Sequence, residues 1–393
     1  MSRRYRWVVL GLGIVAQAAF AALVQGFPAI GPALRAEYAL SLSGFGTLIG
    51  AVWLGSTVTL IPWGLATDRL GERRALSVGL AGTGVALVAG AAGGRLALMV
   101  AFVLAGVLGA VANVASGRVV MGWFEFGERG TAFGLRQAAV PLGGALAALT
   151  LPALVSATDP RAGPIALGTG CLLAAVGCAV GLRDPVGDRT AGWGPLRDRR
   201  VYRLALASAL LVALQAAVIG FIVLFLHGQR RLSDVAAGAA LAAIQVIGIV
   251  LRILVGRWSD RLGRRILPLR RIAVGIAAAW LLVPAIFGAP LGVLIPVLLA
   301  AGGLTFAWNG LSFNAAAEFA EPGRSGTSIA LQQTALFATA AVVSPAFGWL
   351  VEATSWPIAF WTVAAGPLVA WLLLRPLARQ EEVEASPAPG LSS

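Results

Sequence analysis

Long apolar stretches alternate with short polar connections along the whole chain. Each stretch approaches or exceeds the roughly 20 residues that a helix needs to cross a bilayer. Twelve such stretches can be recognised, over residues 7–28, 43–65, 75–93, 96–120, 131–155, 163–182, 201–226, 235–256, 267–288, 291–317, 326–350 and 356–374. The pattern predicts an all-α integral membrane protein with 12 transmembrane helices. Because this number is even, both termini are expected on one side of the membrane.

The composition is typical of a protein that lies in lipid. Of the 393 residues, 58% are hydrophobic and only 12% are charged, which is more apolar surface than one soluble core buries. The formal net charge of +13 is spread over short loops. Membrane orientation and anionic headgroups explain this charge better than a nucleic-acid surface does, so no nucleic-acid partner is expected.

The arginines indicate which side the termini occupy. The N-terminus, the even-numbered connections and the C-terminal tail carry 22 arginines, whereas five lie on the opposite side. Positive residues remain inside the cell. We therefore expect a multi-pass protein of the cell inner (plasma) membrane, with both termini cytoplasmic.

A short polar sequence occurs twice, each time where an apolar stretch ends. Residues 64–74 read GLATDRLGERR and residues 256–265 read GRWSDRLGRR, 192 positions later. The shared spacing G-x-x-x-D-R-x-G-x-R resembles the loop signature between the second and third helices in each half of major facilitator superfamily transporters. The resemblance implies two pseudo-symmetric six-helix bundles, transport by alternating access, and a gating role for the loop residues. These are Gly64, Asp68, Arg69, Gly71, Arg73, Gly256, Asp260, Arg261, Gly263 and Arg264.

The repeat extends beyond this loop into the predicted helices. Asn113 recurs as Asn309 and the pair Arg136-Gln137 as Gln332-Gln333, both at an offset of 196, while Gln17 recurs as Gln215 at an offset of 198. Such parallel repeats predict two halves related by an axis along the membrane normal. The expected domains are an N-terminal six-helix bundle over 1–182, a cytoplasmic linker over 183–200, a C-terminal bundle over 201–379 and a disordered cytoplasmic tail over 380–393.

Within the predicted spans, the charges away from the ends are positive. No span contains Asp or Glu away from its ends, so a cationic substrate would find no counter-charge, whereas Arg136 and Arg252 lie inside. Arg252 precedes Asp260 by eight residues, which is about 12 Å of helix. The segment 252–260 resembles the eighth helix of monocarboxylate and oxalate/formate-type transporters, in which an arginine at this spacing binds the substrate carboxylate.

These arginines predict a small organic anion, a carboxylate, as the substrate. A buried arginine costs about 2.5–3.5 kcal/mol even on insertion scales, and a substrate anion would offset that cost. Snorkelling towards the headgroups is the alternative, and the amides of the same helices could instead join helices together. The candidate substrate-binding residues are Arg252, Arg136, Gln245, Gln17, Asn113, Gln215, Trp308, Asn309 and Gln333; Gln25, Ser116, Ser312 and Gln332 are further polar residues of these helices.

Two other functions remain open. Residues 136–144 partly resemble the G-P-x-x-G-G element of drug–proton antiporters, although Val140 replaces the first glycine, which leaves a drug or metabolite exporter as an alternative. A transport-inactive sensor or scaffold would have only the short tail as a signalling region.

The sequence lacks the residue clusters on which common enzyme sites depend. The chain has a single histidine, two cysteines seven residues apart on one predicted helix, and no phosphate-binding loop. We therefore expect no catalysis, metal or cofactor. The expected partners are a small-molecule substrate and the lipid bilayer, with the protein as a monomer and coupling by proton symport or anion exchange.

Overall fold

A computed structural model describes residues 5–124, 126–184, 197–320 and 324–384, and within these ranges the regular structure is helical. The α-helices are α1 (Tyr5–Ala21), α2 (Gly31–Glu37), α3 (Leu42–Leu70), α4 (Glu72–Ala91), α5 (Arg95–Gly109), α6 (Val111–Trp123), α7 (Phe126–Ala157), α8 (Ala162–Gly181), α9 (Arg199–Gly228), α10 (Asp234–Leu262), α11 (Ile266–Leu282), α12 (Leu291–Leu304), α13 (Asn309–Glu318), α14 (Ser325–Ala353) and α15 (Trp356–Glu384). Short π and 3-10 turns over Ala22–Gly26 and Phe27–Ile30 join α1 to α2, and a 3-10 turn over Val283–Ile286 follows α11.

Twelve helical segments of the described residues are long and apolar enough to cross a membrane, which confirms the predicted number of spans. They cover Tyr5–Glu37, Leu42–Leu70, Glu72–Ala91, Arg95–Ser116, Gly134–Ala157, Ala162–Gly181, Arg199–Gly228, Asp234–Leu262, Ile266–Ile286, Leu291–Glu318, Gly326–Ala353 and Trp356–Val383. The first, fourth and tenth spans each join two α-helices because a short turn interrupts their helical path.

Glycines allow the backbones of neighbouring helices to touch. Helices α4 and α8 cross at Gly84 and Gly168, where a Cβ added to either residue would lie 2.6 or 2.8 Å from the carbonyl oxygen of the other. Without hydrophobic attraction between helices in lipid, such close van der Waals contact is a principal source of association. Any larger side chain here would push α4 and α8 apart.

The chain forms two compact units that do not follow the order of the sequence. The first unit contains Met1–Thr190, Ala216–Val246 and Ala340–Trp356; the second contains Ala191–Gln215, Ile247–Thr339 and Pro357–Ser393. The division into bundles over 1–182 and 201–379 remains a prediction.

Aromatic side chains connect the sequence halves inside the first unit. The ring of Phe221 lies 6.4 Å from that of Phe45 and 4.9 Å from that of Phe347, between ring centres. Segments of α9 and α14 therefore pack against α3 in this unit.

The last helix differs from the sequence expectation for the tail. α15 continues to Glu384, so five residues of the segment predicted to be disordered are helical, while 385–393 lie outside the described residues. A hydrogen-bonding role for Glu381, described below, explains the extension.

Candidate functional site

Arg136 lies in the interior of α7 and is held by several hydrogen bonds. Its side chain is only 3% exposed. Its Nε donates to the hydroxyl of Ser116 at 2.8 Å, and its terminal nitrogens donate to Gln137 Oε1 at 3.2 Å, to Gln17 Oε1 at 3.3 Å and to the carbonyl of Asn113 at 2.5 Å. The oxygens that accept these four bonds belong to two amides, a hydroxyl and a backbone carbonyl, and together they orient the guanidinium.

Gln17 is at the centre of the same cluster. It is 2% exposed, and its side-chain amide donates to Asn113 Oδ1 at 3.0 Å while its Oε1 also accepts from Ser116 at 3.1 Å. Since these residues come from α1, α6 and α7, the hydrogen bonds fix three helices around one positive charge. Of the predicted substrate-binding residues, the structure thus brings Gln17, Asn113 and Arg136 together.

A second polar cluster occupies the repeat-related positions of the other sequence half. Asn309 donates to Gln215 Oε1 at 3.1 Å, which is the contact between Gln17 and Asn113 with donor and acceptor exchanged. Gln332, in the place of Arg136, donates to Ser312 and, at 2.8 Å, to Ser208. The two clusters share their architecture, but only the first contains a charge at this position.

Trp308 and Gln333 are the other predicted residues near this second cluster in sequence. Trp308 is fully buried next to Asn309, and Gln333 is half-buried next to Gln332. Ser208 was missed by the sequence reasoning, because the repeat offset of 198 pairs it with Leu10, which gives no polar signal.

Arg252 has a different environment. It is half-buried on α10, and a Cβ added to Gly310 would lie 3.6 Å from its Cγ, so its aliphatic stem lies close to the backbone of α13. One helical turn further along α10, no described atom lies within 4 Å of a Cβ built on Gly256. The side of α10 that follows Arg252 is therefore open at this turn.

Gln245 is sealed in the first unit, whereas Arg252 belongs to the second. Gln245 is 0% exposed, its amide nitrogen is 3.5 Å from the carbonyl oxygen of Gln25, and its Oε1 occupies the space that a Cβ on Gly144 would need. Any side chain at Gly144 would collide with Gln245.

Both signature loops turn on a glycine with a positive φ. Gly71 has φ 84° and Gly263 has φ 60°, values that other residues adopt only with strain. At Gly71 a Cβ would also collide with the carboxylate of Asp184. Glycine is therefore required at position 71 both by its backbone angle and by the nearby carboxylate. The recurrence of glycine in the two loops has a geometric cause.

The aspartates of the two loops have different surroundings. Asp260 is exposed and pairs with Arg265 at 2.5 Å, and Arg265 also pairs with Glu318 at 3.1 Å. Burial opposes the charge of Arg265, but these two carboxylates outweigh it and raise its pKa. Asp68 is half-buried at the end of α3.

A carboxylate from a distant helix end caps the helix after each loop. Asp184 Oδ1 accepts from the backbone N–H of Arg73 at 3.0 Å, in the first turn of α4. Glu381 accepts from the backbone N–H groups of Arg265, Ile266 and Leu267 at 2.5, 2.9 and 3.0 Å, at the start of α11. The first N–H groups of a helix have no partner within the helix, and a carboxylate also interacts favourably with the helix dipole there.

Comparison with known proteins identifies the family. Residues 10–344 match the family model of the Major Facilitator Superfamily. The chain belongs to this superfamily. Two uncharacterised MFS-type transporters from two strains of Mycobacterium tuberculosis are each 33% identical to it over 384 residues, which is 94% of this chain and 86% of theirs.

Solved structures of the superfamily share the fold. A bacterial homologue of the human lysosomal transporter Spinster, in an inward-facing and occupied conformation, superposes with a TM-score of 0.80 at 15% identity, covering 99% of this chain and 100% of that one. A D-xylose–proton symporter superposes with a TM-score of 0.76 at 16% identity, covering 95% and 97%. The protein is therefore a multi-pass MFS transporter with 12 spans, as the signature loops predicted.

Proposed function

We propose that this MFS transporter moves a small organic anion, a carboxylate, by alternating access as a secondary active transporter. The observation that carries the proposal is the buried guanidinium of Arg136, which hydrogen bonds to residues of three helices hold in one orientation. A fixed charge inside a membrane protein favours a ligand of opposite sign.

Arg252 is the residue we assign to direct contact with the substrate. Its stem lies near the backbone at Gly310, its Nε is buried, and the residue as a whole is half-buried, so its position is fixed by packing against α13. A guanidinium presents a planar fork of donors that matches a carboxylate with two parallel hydrogen bonds. The surrounding amides of Gln17 and Asn113 keep the guanidinium of Arg136 in place.

The residues of the spans also bear on how substrate movement is coupled to another ion. Since the spans carry no Asp or Glu away from their ends, a proton would travel with the substrate, or one anion would exchange for another. We place the protein in the plasma membrane with cytoplasmic termini on the basis of its arginine distribution, and we propose that it acts as a monomer.

The test is uptake by proteoliposomes of radiolabelled carboxylates, with acetate, pyruvate, oxalate and succinate as probes. We expect Arg252→Ala to abolish uptake, because the fork is lost, and Arg252→Lys to restore it only weakly, because a point charge cannot bind both oxygens. Arg203→Ala is the matched control, since Arg203 is exposed on α9, and it should retain wild-type uptake. Normal uptake by Arg252→Ala, or no uptake of any carboxylate by the wild type, would contradict the proposal.

Efflux of an apolar drug or metabolite is a second candidate, favoured by the glycine pair on α7. A Cβ on Gly143 would lie 2.8 Å from the Cα of Ala18 in α1, and one on Gly144 would lie 2.8 Å from the Cβ of Gln25. These glycines therefore form a close helix crossing at the element that resembles the exporter motif. Thermal stabilisation of the purified protein by lipophilic cations, with none by carboxylates, would favour this candidate.

A further inference from the structure

A cavity of about 640 Å³ lies beside the first signature loop, at the ends of α3, α4 and α8. It is partly open, and its polar lining is mainly basic. Its lining residues are Arg69, Leu70, Arg73, Arg74, Ser77, Val78, Ala179 and Asp184. Three arginines and one aspartate leave this lining with a formal charge of +2.

The single carboxylate of the cavity is already engaged. Asp184 accepts from the backbone of Arg73 and lies against Gly71, while the Nε of Arg73 donates to the carbonyl of Ala179 at 2.7 Å. By contrast, Arg69 and Arg74 are exposed and make no hydrogen bond or ion pair within the part of the chain that the structure describes. The cavity therefore has a rigid floor and two cationic side chains able to turn towards a ligand.

From the cavity, exposed apolar side chains continue along the outer surface of the same helices. Val78 on α4 is 60% exposed and Val180 on α8 is 81% exposed, and further along the same helices Val85 and Val176 are also exposed. Val85 lies eleven residues from Arg74, about 16 Å along the helix. A ligand that fits this surface has an anionic head and an apolar body that extends along the membrane-spanning helices.

We propose that this cavity binds the headgroup of an anionic phospholipid, with its phosphate between Arg69 and Arg74 and its acyl chains along the exposed valines of α4 and α8. Basic pockets between transmembrane helices on the side rich in positive residues suit such headgroups. A free phosphate would satisfy the arginines but would leave the adjoining apolar surface unused, which is why the lipid is the better match.

The corresponding place in the second half of the sequence has a different charge arrangement. Arg265, at the position of Arg73, pairs with Asp260 and Glu318, and Ile266 replaces Arg74. The proposed lipid site is therefore specific to the first signature loop. This asymmetry supplies a control, because Arg257 is an exposed arginine of the second loop whose removal changes the net charge equally.

The experiment is native mass spectrometry of the detergent-purified full chain, titrated with phosphatidylglycerol or phosphatidylcholine of identical acyl chains. The wild type should retain phosphatidylglycerol at least about tenfold more tightly than phosphatidylcholine. One arginine near a membrane surface contributes about a fivefold factor, so Arg74→Gln should weaken phosphatidylglycerol about fivefold and the double variant Arg69→Gln/Arg74→Gln about 25-fold. Arg257→Gln should change it by less than about twofold.

Three outcomes would overturn the proposal. The first is equal retention of both lipids by the wild type, and the second is an equal loss in Arg257→Gln, which would indicate a general charge effect. The third is displacement of phosphatidylglycerol by millimolar inorganic phosphate, which would assign the cavity to a free anion. The thermal denaturation midpoint of each variant in phosphatidylcholine micelles is the folding control. We expect it to equal the midpoint of the wild type.

Discussion

The side-chain amide of Gln17 donates a hydrogen bond to the side-chain oxygen of Asn113 at 3.0 Å and so joins α1 to α6. The same pair of residue types, Gln215 and Asn309, joins the repeat-related helices at 3.1 Å. Two copies of one contact in two different surroundings are most simply a structural feature, since each copy satisfies an amide that would otherwise be buried without a partner.

A double-mutant cycle with Gln17→Ala and Asn113→Ala should therefore give a coupling free energy of about 0.6 kcal/mol and at most about 1.7 kcal/mol, the average and the maximum for hydrogen bonds between helices in membranes. The measurement is the free energy of unfolding in micelles titrated with a denaturing detergent. Gln215→Ala with Asn309→Ala is the matched cycle and should give a similar value. Coupling near zero in both cycles would mean that these amides are held by other partners.

Arg136→Gln copies the residue that the chain itself uses at Gln332, so the variant should fold. If Arg136 and Arg252 act on one substrate, a dianion needs both charges and a monoanion mainly Arg252. We expect succinate to lose most of its ability to compete with labelled uptake in Arg136→Gln, while pyruvate retains its own. Equal loss for both would refute this division, and unchanged competition by both would leave Arg136 with a purely structural role.

Asp68→Asn should loosen the side of the transporter on which the signature loops lie, without removing a substrate contact. The readout is maleimide labelling of a Gln333→Cys probe, in a background with Cys171 and Cys178 replaced by alanine; labelling should become faster. Substrate affinity, measured without the probe, should change less than about tenfold, or roughly 1.4 kcal/mol. Asp260→Asn is the parallel variant. Unchanged labelling together with lost binding would place Asp68 in the substrate site.

Glu381→Ala should destabilise the protein, since three N–H groups at the start of α11 lose their acceptor. Loss of a helix cap costs about 0.5–2 kcal/mol, which thermal denaturation can detect. The neighbouring Glu382 is exposed, so Glu382→Ala should have almost no effect. A chain that ends at residue 384 should match the wild type, and one that ends at residue 379 should reproduce the loss; equal stability of both would contradict the capping role.

The spans could be predicted from sequence because each one must be apolar over its whole length, whatever its neighbours are. The signature loops were equally visible, since Gly71 and Gly263 recur at a fixed spacing. The repeat also marked Asn113 and Asn309 as equivalent. It could not show that their partners are Gln17 and Gln215, because each of those contacts spans more than 90 residues and depends on tertiary packing.

The same limit explains the C-terminal segment. Its composition, with Glu381, Glu382 and Glu384 close together, favours disorder when taken alone. The segment is helical to Glu384 because Glu381 meets a helix start that lies 114–116 residues earlier in the chain. Likewise, Ser208 became visible only when the structure placed it beside Gln332 and Ser312.

The burial of Gln245 against Gly144 determines when in the transport cycle this residue could contact the substrate. In this conformation the side chain of Gln245 is fully buried against Gly144 of α7 and the backbone carbonyl of Gln25, so its amide N–H could donate to a substrate carboxylate only after α10 has moved away from them. Any binding energy contributed by Gln245 would then appear in one stage of the transport cycle and be absent from another. The affinity for substrate would then differ between the two conformations of the transporter, although Gln245 stays on the same helix throughout.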